Sequence, residues 1–167
     1  MRDILSKAVK LNAALLKIES NRQLWQRETK PLLVRVLNQI NDEAKLNLVV
    51  KVDARHQNHE RVNLSFEPKP SGIVEMLEDS QRSLLKIGGS LAFCQSYNGD
   101  IYPFVAFPYV EDVVIRNENL LLVKLDPRRI TEEFVVARVN DFLSAMLEWE
   151  QVTSGAYTGL LVVPSRA

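Results

Sequence analysis

The 167-residue chain has one cysteine, two histidines and six glycines. Each scarcity excludes a class of protein. A lone Cys94 rules out an intrachain disulfide and any cysteine-rich zinc site. No apolar run approaches the roughly 18–20 residues needed to cross a bilayer. Lysines interrupt the stretch from Ile4 to Ile18, so it does not read as a signal-peptide core. A reduced, cytoplasmic setting without membrane contact is the simplest expectation. Formal net charge is zero, and without a basic excess no nucleic-acid partner is expected. Gly88-Gly89 lacks the spaced glycines and following lysine of a phosphate loop.

What the chain does have is ordinary for a soluble globular domain: 46% hydrophobic and 25% charged residues, enough to form a core without disulfides or metals. Charge is unevenly spread. Residues 1–70 carry 13 Lys and Arg against 8 Asp and Glu, and the remainder carries the opposite balance. Complementary halves can pair within one chain or between copies.

Periodicity supplies the elements. Ile4, Ala8, Leu11, Leu15 and Ile18 recur at helical spacing, and Leu5, Val9 and Leu16 widen the apolar face to about half the circumference. Such a stripe predicts a helix over 3–19 packed into the core, with a helix–helix dimer seam as the alternative. Ser20-Asn21 predicts a break, and Pro31 suits the first turn of a second helix over 32–45. Trp25 lies between the two, at the core edge or in an interface. Leu46, Leu48, Val50 and Val52 alternate with polar neighbours, as do Val62, Leu64 and Phe66. This predicts an antiparallel hairpin with one solvated face. Residues 73–87 carry acids early and bases late and predict a helix, with two short strands as the alternative. Asn98-Gly99 predicts a two-residue hairpin turn in which Tyr97 faces Asp100, Gln95 faces Tyr102 and Phe93 faces Phe104. Pro103 then marks an edge strand or an incompletely paired one. Val113–Ile115 and Leu120–Leu125 add short strands. Thr131, Glu132 and Glu133 open a helix over 131–150, and Leu160–Val163 suggests a final strand.

Together these predict one α+β domain over 1–167: a helical part to residue 45, mainly antiparallel strands over 46–130, a helix over 131–150 and a tail. The sheet should have five or six strands, with the N-terminal helices and the long C-terminal helix on one face. Its core should centre on Leu15, Val36, Val50, Leu64, Phe93, Phe104, Val139, Phe142 and Leu143. In layout the order is similar to several α+β interaction folds, including secretion chaperones and helix-grip ligand binders, but no motif assigns the chain to either.

Chemistry is sparse. His56 and His59, with Glu60 adjacent, could contribute to a metal site, but no closing ligand is visible. A solvated loop explains them better. Cys94 alternates with Ala92 on a strand and reads as a structural cysteine, with both histidines on a different hairpin. The acidic pairs Glu78-Asp79, Glu111-Asp112 and Glu132-Glu133 fit solvated ends and a helix start. Arg128-Arg129 could hold an anion before the last helix, though a surface ion pair needs less organisation. Phe93, Tyr97, Tyr102, Phe104, Met146 and Trp149 are the candidates to line an apolar ligand pocket between the sheet and the last helix. No catalytic constellation and no cofactor motif is present. The expected function is therefore a non-enzymatic binding or adaptor role through protein–protein contacts. Binding of an apolar small molecule, or an enzyme with a carboxylate site invisible in sequence, stands as the alternative. The wide apolar face of residues 4–18, Trp25 and an open edge at Pro103 also predict a homodimer.

Overall fold

The computed structural model describes residues 1–45, 47–114 and 118–156, with side chains to residue 152. Two long helices and a π-turn lead the chain: α1 (Arg2–Leu24), the π-turn (Trp25–Thr29) and α2 (Lys30–Ala44). Eight strands follow among the described residues. They are β1 (Val49–Asp53), β2 (Arg61–Ser65), β3 (Lys69–Met76), β4 (Gln81–Ile87), β5 (Ser90–Gln95), β6 (Ile101–Ala106), β7 (Tyr109–Val110) and β8 (Leu120–Leu121). A short 3₁₀ turn (Pro127–Arg129) precedes α3 (Glu132–Ala156). The predicted α+β class with antiparallel sheet and terminal helices is the observed one. The strands divide between two sheets, a five-stranded one of order β1-β2-β5-β6-β8 and a three-stranded one of order β3-β4-β7. Leu46, part of Val113–Ile115 and the expected final strand at Leu160–Val163 lie outside the described residues.

The core is where periodicity placed most of it. Val36, Leu64, Phe93, Val139 and Phe142 are buried, with Val50 and Leu143 packed partly against them. One face of the large sheet meets α2 and α3 through Leu33, Leu37, Val62, Leu91, Ile101 and Val105. Asn41 joins the end of α2 to the start of β1: its side chain donates to the Leu48 carbonyl at 2.8 Å and accepts from the Leu48 N–H at 2.9 Å. A smaller cluster of Leu84, Val110 and Trp149 lies under the second sheet.

Four expectations are corrected. Residues 73–87 form strands rather than a helix: β3 and β4 pair antiparallel, with a bulge between Pro70 and Val74. The charges that resembled a helix-dipole pattern pair across the hairpin instead, Arg82 Nε donating to Glu75 at 2.9 Å. The β-branched pair Ile73-Val74 suits that pleated setting. Pro70 is tolerated because β3 is an edge strand.

The second correction is the register of the β5–β6 hairpin. Gln95 faces Ile101, Phe93 faces Pro103 and Ala92 faces Phe104. The loop has three residues, 97–99, closed by Ser96 N–H to the Asp100 carbonyl at 2.9 Å and Gly99 N–H to the Ser96 carbonyl at 2.9 Å. Only Gly99 needs positive φ, at 78°, as in a three-residue turn with a glycine bulge rather than a two-residue turn. A one-residue slip moves a strand's side chains to the other face. Phe93, Ile101 and Val105 therefore enter the core, while Tyr102 and Phe104 face away from it and are half-buried. The Pro103 carbonyl accepts from Leu122 N–H, so the short β8 pairs incompletely beside the proline, one of the two forms anticipated.

Third, no break occurs at Ser20-Asn21. Helical structure runs from residue 2 to 44 through the π-turn, and Trp25 is fully buried within it. Fourth, the N-terminal stripe does not enter the core. Ile4, Leu5, Val9, Leu11, Leu15 and Leu16 are between 51% and 74% exposed.

The body holds α1 by its C-terminal end. Lys17 pairs with Asp126 at 3.3 Å, and Arg128 reaches Ser20 and Asn21 at 3.1 and 3.3 Å. The β5–β6 loop presses on the same segment: Arg22 donates to the Tyr97 carbonyl at 2.8 Å, and its guanidinium lies over the Tyr97 ring. A Cβ on Gly99 would come within 2.5 Å of the Asn21 Cβ. Gly99→Ala should therefore lower stability by about 2 kcal/mol or more, through both backbone strain and this collision. Gly72→Ala also has positive φ, but its Cβ meets nothing within 4 Å. It should cost only about 1 kcal/mol. Urea denaturation of the two variants compares them, and equal losses would contradict the close approach of loop and helix.

Candidate functional site

Glu60 follows the β1–β2 loop, where the sheet meets the π-turn. It is 6% exposed. Its carboxylate accepts from Trp25 Nε1 at 3.0 Å, Gln26 Nε2 at 2.9 Å and Lys30 Nζ at 2.8 Å. The π-turn is what brings these donors together. Its i→i+5 bond, from Lys30 N–H to the Trp25 carbonyl, brings residue 30 round towards residue 25 instead of residue 26. The backbone carbonyl of Glu60 accepts from Gln95 N–H at 2.8 Å, tying the same residue to β5. Burial alone would raise the Glu60 carboxyl pKa. The Lys30 ammonium and the Trp25 and Gln26 donors outweigh it and hold the pKa below the usual carboxylate value.

A cavity of about 260 Å³ opens beside this junction, lined by Asp53, Arg55, His56, His59, Glu60, Arg61, Cys94 and Gln95. Because β2 pairs with β5, Arg61 faces Cys94. The histidine loop and the cysteine, remote in sequence, thus share one cavity wall. That corrects the expected separation but does not create a nucleophile. Burial pushes the Cys94 thiol up, Asp53 adds to this, and Arg61 only partly offsets it. Arg55 binds both Asp53 carboxylate oxygens, at 2.9 and 2.7 Å, and Arg61 reaches the same group at 3.0 Å. Asp53 is consequently held well below the usual carboxylate range, chiefly by the Arg55 hydrogen bonds. Among the described residues no group of three or more His, Cys, Asp and Glu is placed to hold a metal. Gln95 is fully buried, with neither side-chain polar atom hydrogen-bonded.

The six candidates for an apolar pocket fall in different places. Phe93 and Met146 belong to the main core, and Trp149 belongs to the smaller cluster with Lys86 over its ring. Tyr97 is at the exposed loop tip against Arg22. Tyr102 and Phe104 lie on the outer face of the large sheet. Lys124 sits over the Tyr102 ring. Phe104 lines a second cavity of about 470 Å³ with Arg61, Asn63, Ser90, Ala92, Ala106, Glu118 and Asn119. Arg128 is engaged by Asp126 and by α1, and Arg129 ends the 3₁₀ turn beside it. Members of two of the acidic pairs have structural partners too. Glu111 accepts from Leu85 N–H, Asp112 pairs with Arg82, and Glu132 pairs with Arg35.

The most distinctive surface is α1 itself. From residue 2 to 17 every side chain is exposed, and the large apolar ones cover one broad face. No helix among the described residues is long and apolar enough to cross a membrane. Comparison with known protein families, with curated proteins and with solved structures finds no match to this chain.

Sequence reasoning missed the Trp25–Gln26–Lys30–Glu60 junction. Glu60 drew notice only as a third metal-capable group, and its donors lie 30 to 35 residues away. Its removal should be costly. Glu60→Gln leaves Lys30 without its anion and should destabilise by about 2–4 kcal/mol at pH 7. A lowered native pKa means the contribution is complete above the unfolded glutamate value, about 4.3, and fades as pH falls through the native one. Between pH 6 and 3 the variant should therefore lose less stability than the wild type, as followed by chemical denaturation. Parallel pH profiles would contradict a charged Glu60 in the fold.

Proposed function

We propose that this is a non-enzymatic binding or adaptor protein acting through protein–protein contacts, with α1 as its contact element. A cytoplasmic setting belongs to the same reading. One observation carries it: six large apolar side chains between Ile4 and Leu16 stand exposed on a helix that, among the described residues, is fixed to the body near residues 17–25. Contiguous apolar surface of this extent marks an interaction site. An isolated helix of about 15 residues is marginal in water, so a partner covering this face would also stabilise it.

Leu11→Asp with Leu15→Asp tests the role directly. Neither side chain touches the core, so the unfolding free energy should change by less than about 1 kcal/mol. A photo-activatable cross-linker at position 5 of the otherwise wild-type full-length chain should give discrete covalent adducts in cells. The same probe in the double variant should give none. Absence of adducts from the otherwise wild-type chain would contradict the reading. So would a double variant that fails to fold, since it would place these leucines in the core.

A further inference from the structure

The geometry points to a second copy of this chain as the occupant of α1, lying along the exposed face of the partner's α3 in a reciprocal, twofold exchange. This rests on the reading of α1 as a contact element and names what it contacts.

The two surfaces match in length, polarity and charge. Along α1 the apolar strip runs from Ile4 to Leu15. On α3 a strip of Val136, Leu143 and Leu147 faces outward or is half-exposed, and it too spans twelve residues from first to last. Both strips are about 16 Å long at the α-helical rise. At 100° per residue, Arg2 and Lys7 border the apolar arc of α1 on its two sides. Residues 2–17 hold four basic side chains and one acidic. The exposed side of α3 carries Glu133, Asp141 and Glu148 against one basic residue, Arg138, which pairs with Asp141 at 2.9 Å and leaves the surface net negative. Two copies of α1 facing each other would bring like charge together, whereas α1 on α3 brings opposite charge.

The face of α1 is also wider than a two-helix seam requires, because Leu5, Val9 and Leu16 lie outside the Ile4–Ala8–Leu11–Leu15 line. A helix lying over another protomer's body uses that width. At about 100 Å² per exposed large side chain, reciprocal exchange brings the total within the range of about 1,200–2,000 Å² typical of stable interfaces.

Sedimentation velocity of the full-length protein tests the proposal through paired charge reversals. Wild type should form a species of twice the 19.0 kDa chain mass. Arg2→Glu with Lys7→Glu should weaken the dimer about tenfold, and so should Asp141→Lys with Glu148→Lys. The fourfold variant, with both surfaces reversed, should recover wild-type affinity, which neither a folding defect nor a general charge effect would produce. A dimer insensitive to the α3 reversals would overturn the proposal in favour of α1 pairing with α1. A monomer at every concentration would overturn self-pairing altogether, and so would binding of α1 to anionic lipid vesicles without dimerisation. In the last two cases cross-linked adducts from position 5 would still show whether α1 contacts some other protein.

Discussion

The Glu60 carboxylate joins the helical layer to the sheet, tying the π-turn to the start of β2. A buried anion is stable only where donors replace its water, and here Trp25, Gln26 and Lys30 do so from a single turn of helix. That requirement accounts for the π-turn, because a regular α-helix would not place residue 30 over residue 25. It also accounts for the burial of Trp25, whose indole N–H needs an acceptor to enter the core.

The same constraint sets the path of α1. Once the π-turn is pinned, the helix leading into it must leave the body in a fixed direction. Asp126, Arg128 and the Tyr97–Gly99 loop hold its last turns, and nothing described in the fold covers the turns before them. Asp126 is itself kept below the usual carboxylate value: burial opposes ionisation, while the Arg128 N–H and Lys17 more than compensate. The exposed apolar face therefore follows from how the helix is anchored, and the binding role is read from that placement.

Much of the fold was legible because its elements bury one face. Alternation at Val50, Val62 and Leu64 gave the β1–β2 hairpin, and the 4–3 spacing of Val135, Val139, Phe142 and Met146 gave α3. Three features were hidden for physical reasons. At Asn98-Gly99 a two-residue and a three-residue loop share the same dipeptide. The choice depends on Ser96 and Asp100 bonding around Asn98 and on the approach of Gly99 to Asn21, a contact 78 residues away in sequence. At residues 73–87 the charge order fits a helix dipole and a cross-strand pair equally well, and partner strand β7 lies further along the chain. The stripe of α1 has the pattern of a core helix, and periodicity does not say whether the surface it fits belongs to its own domain. Of the candidate site, His56, His59 and Cys94 were visible as residue types, but their common cavity arises only from β2 pairing with β5.

Amide hydrogen exchange in dilute solution, well below micromolar, tests the central claim that α1 is anchored at one end and otherwise free. Residues 2–16 should exchange orders of magnitude faster than residues 30–44 of α2, with protection rising through 17–25 as the contacts to Asp126, Arg128 and Gly99 begin. Protection of residues 2–16 equal to that of α2 in the dilute protein would mean that its own fold covers the helix, and would contradict the account.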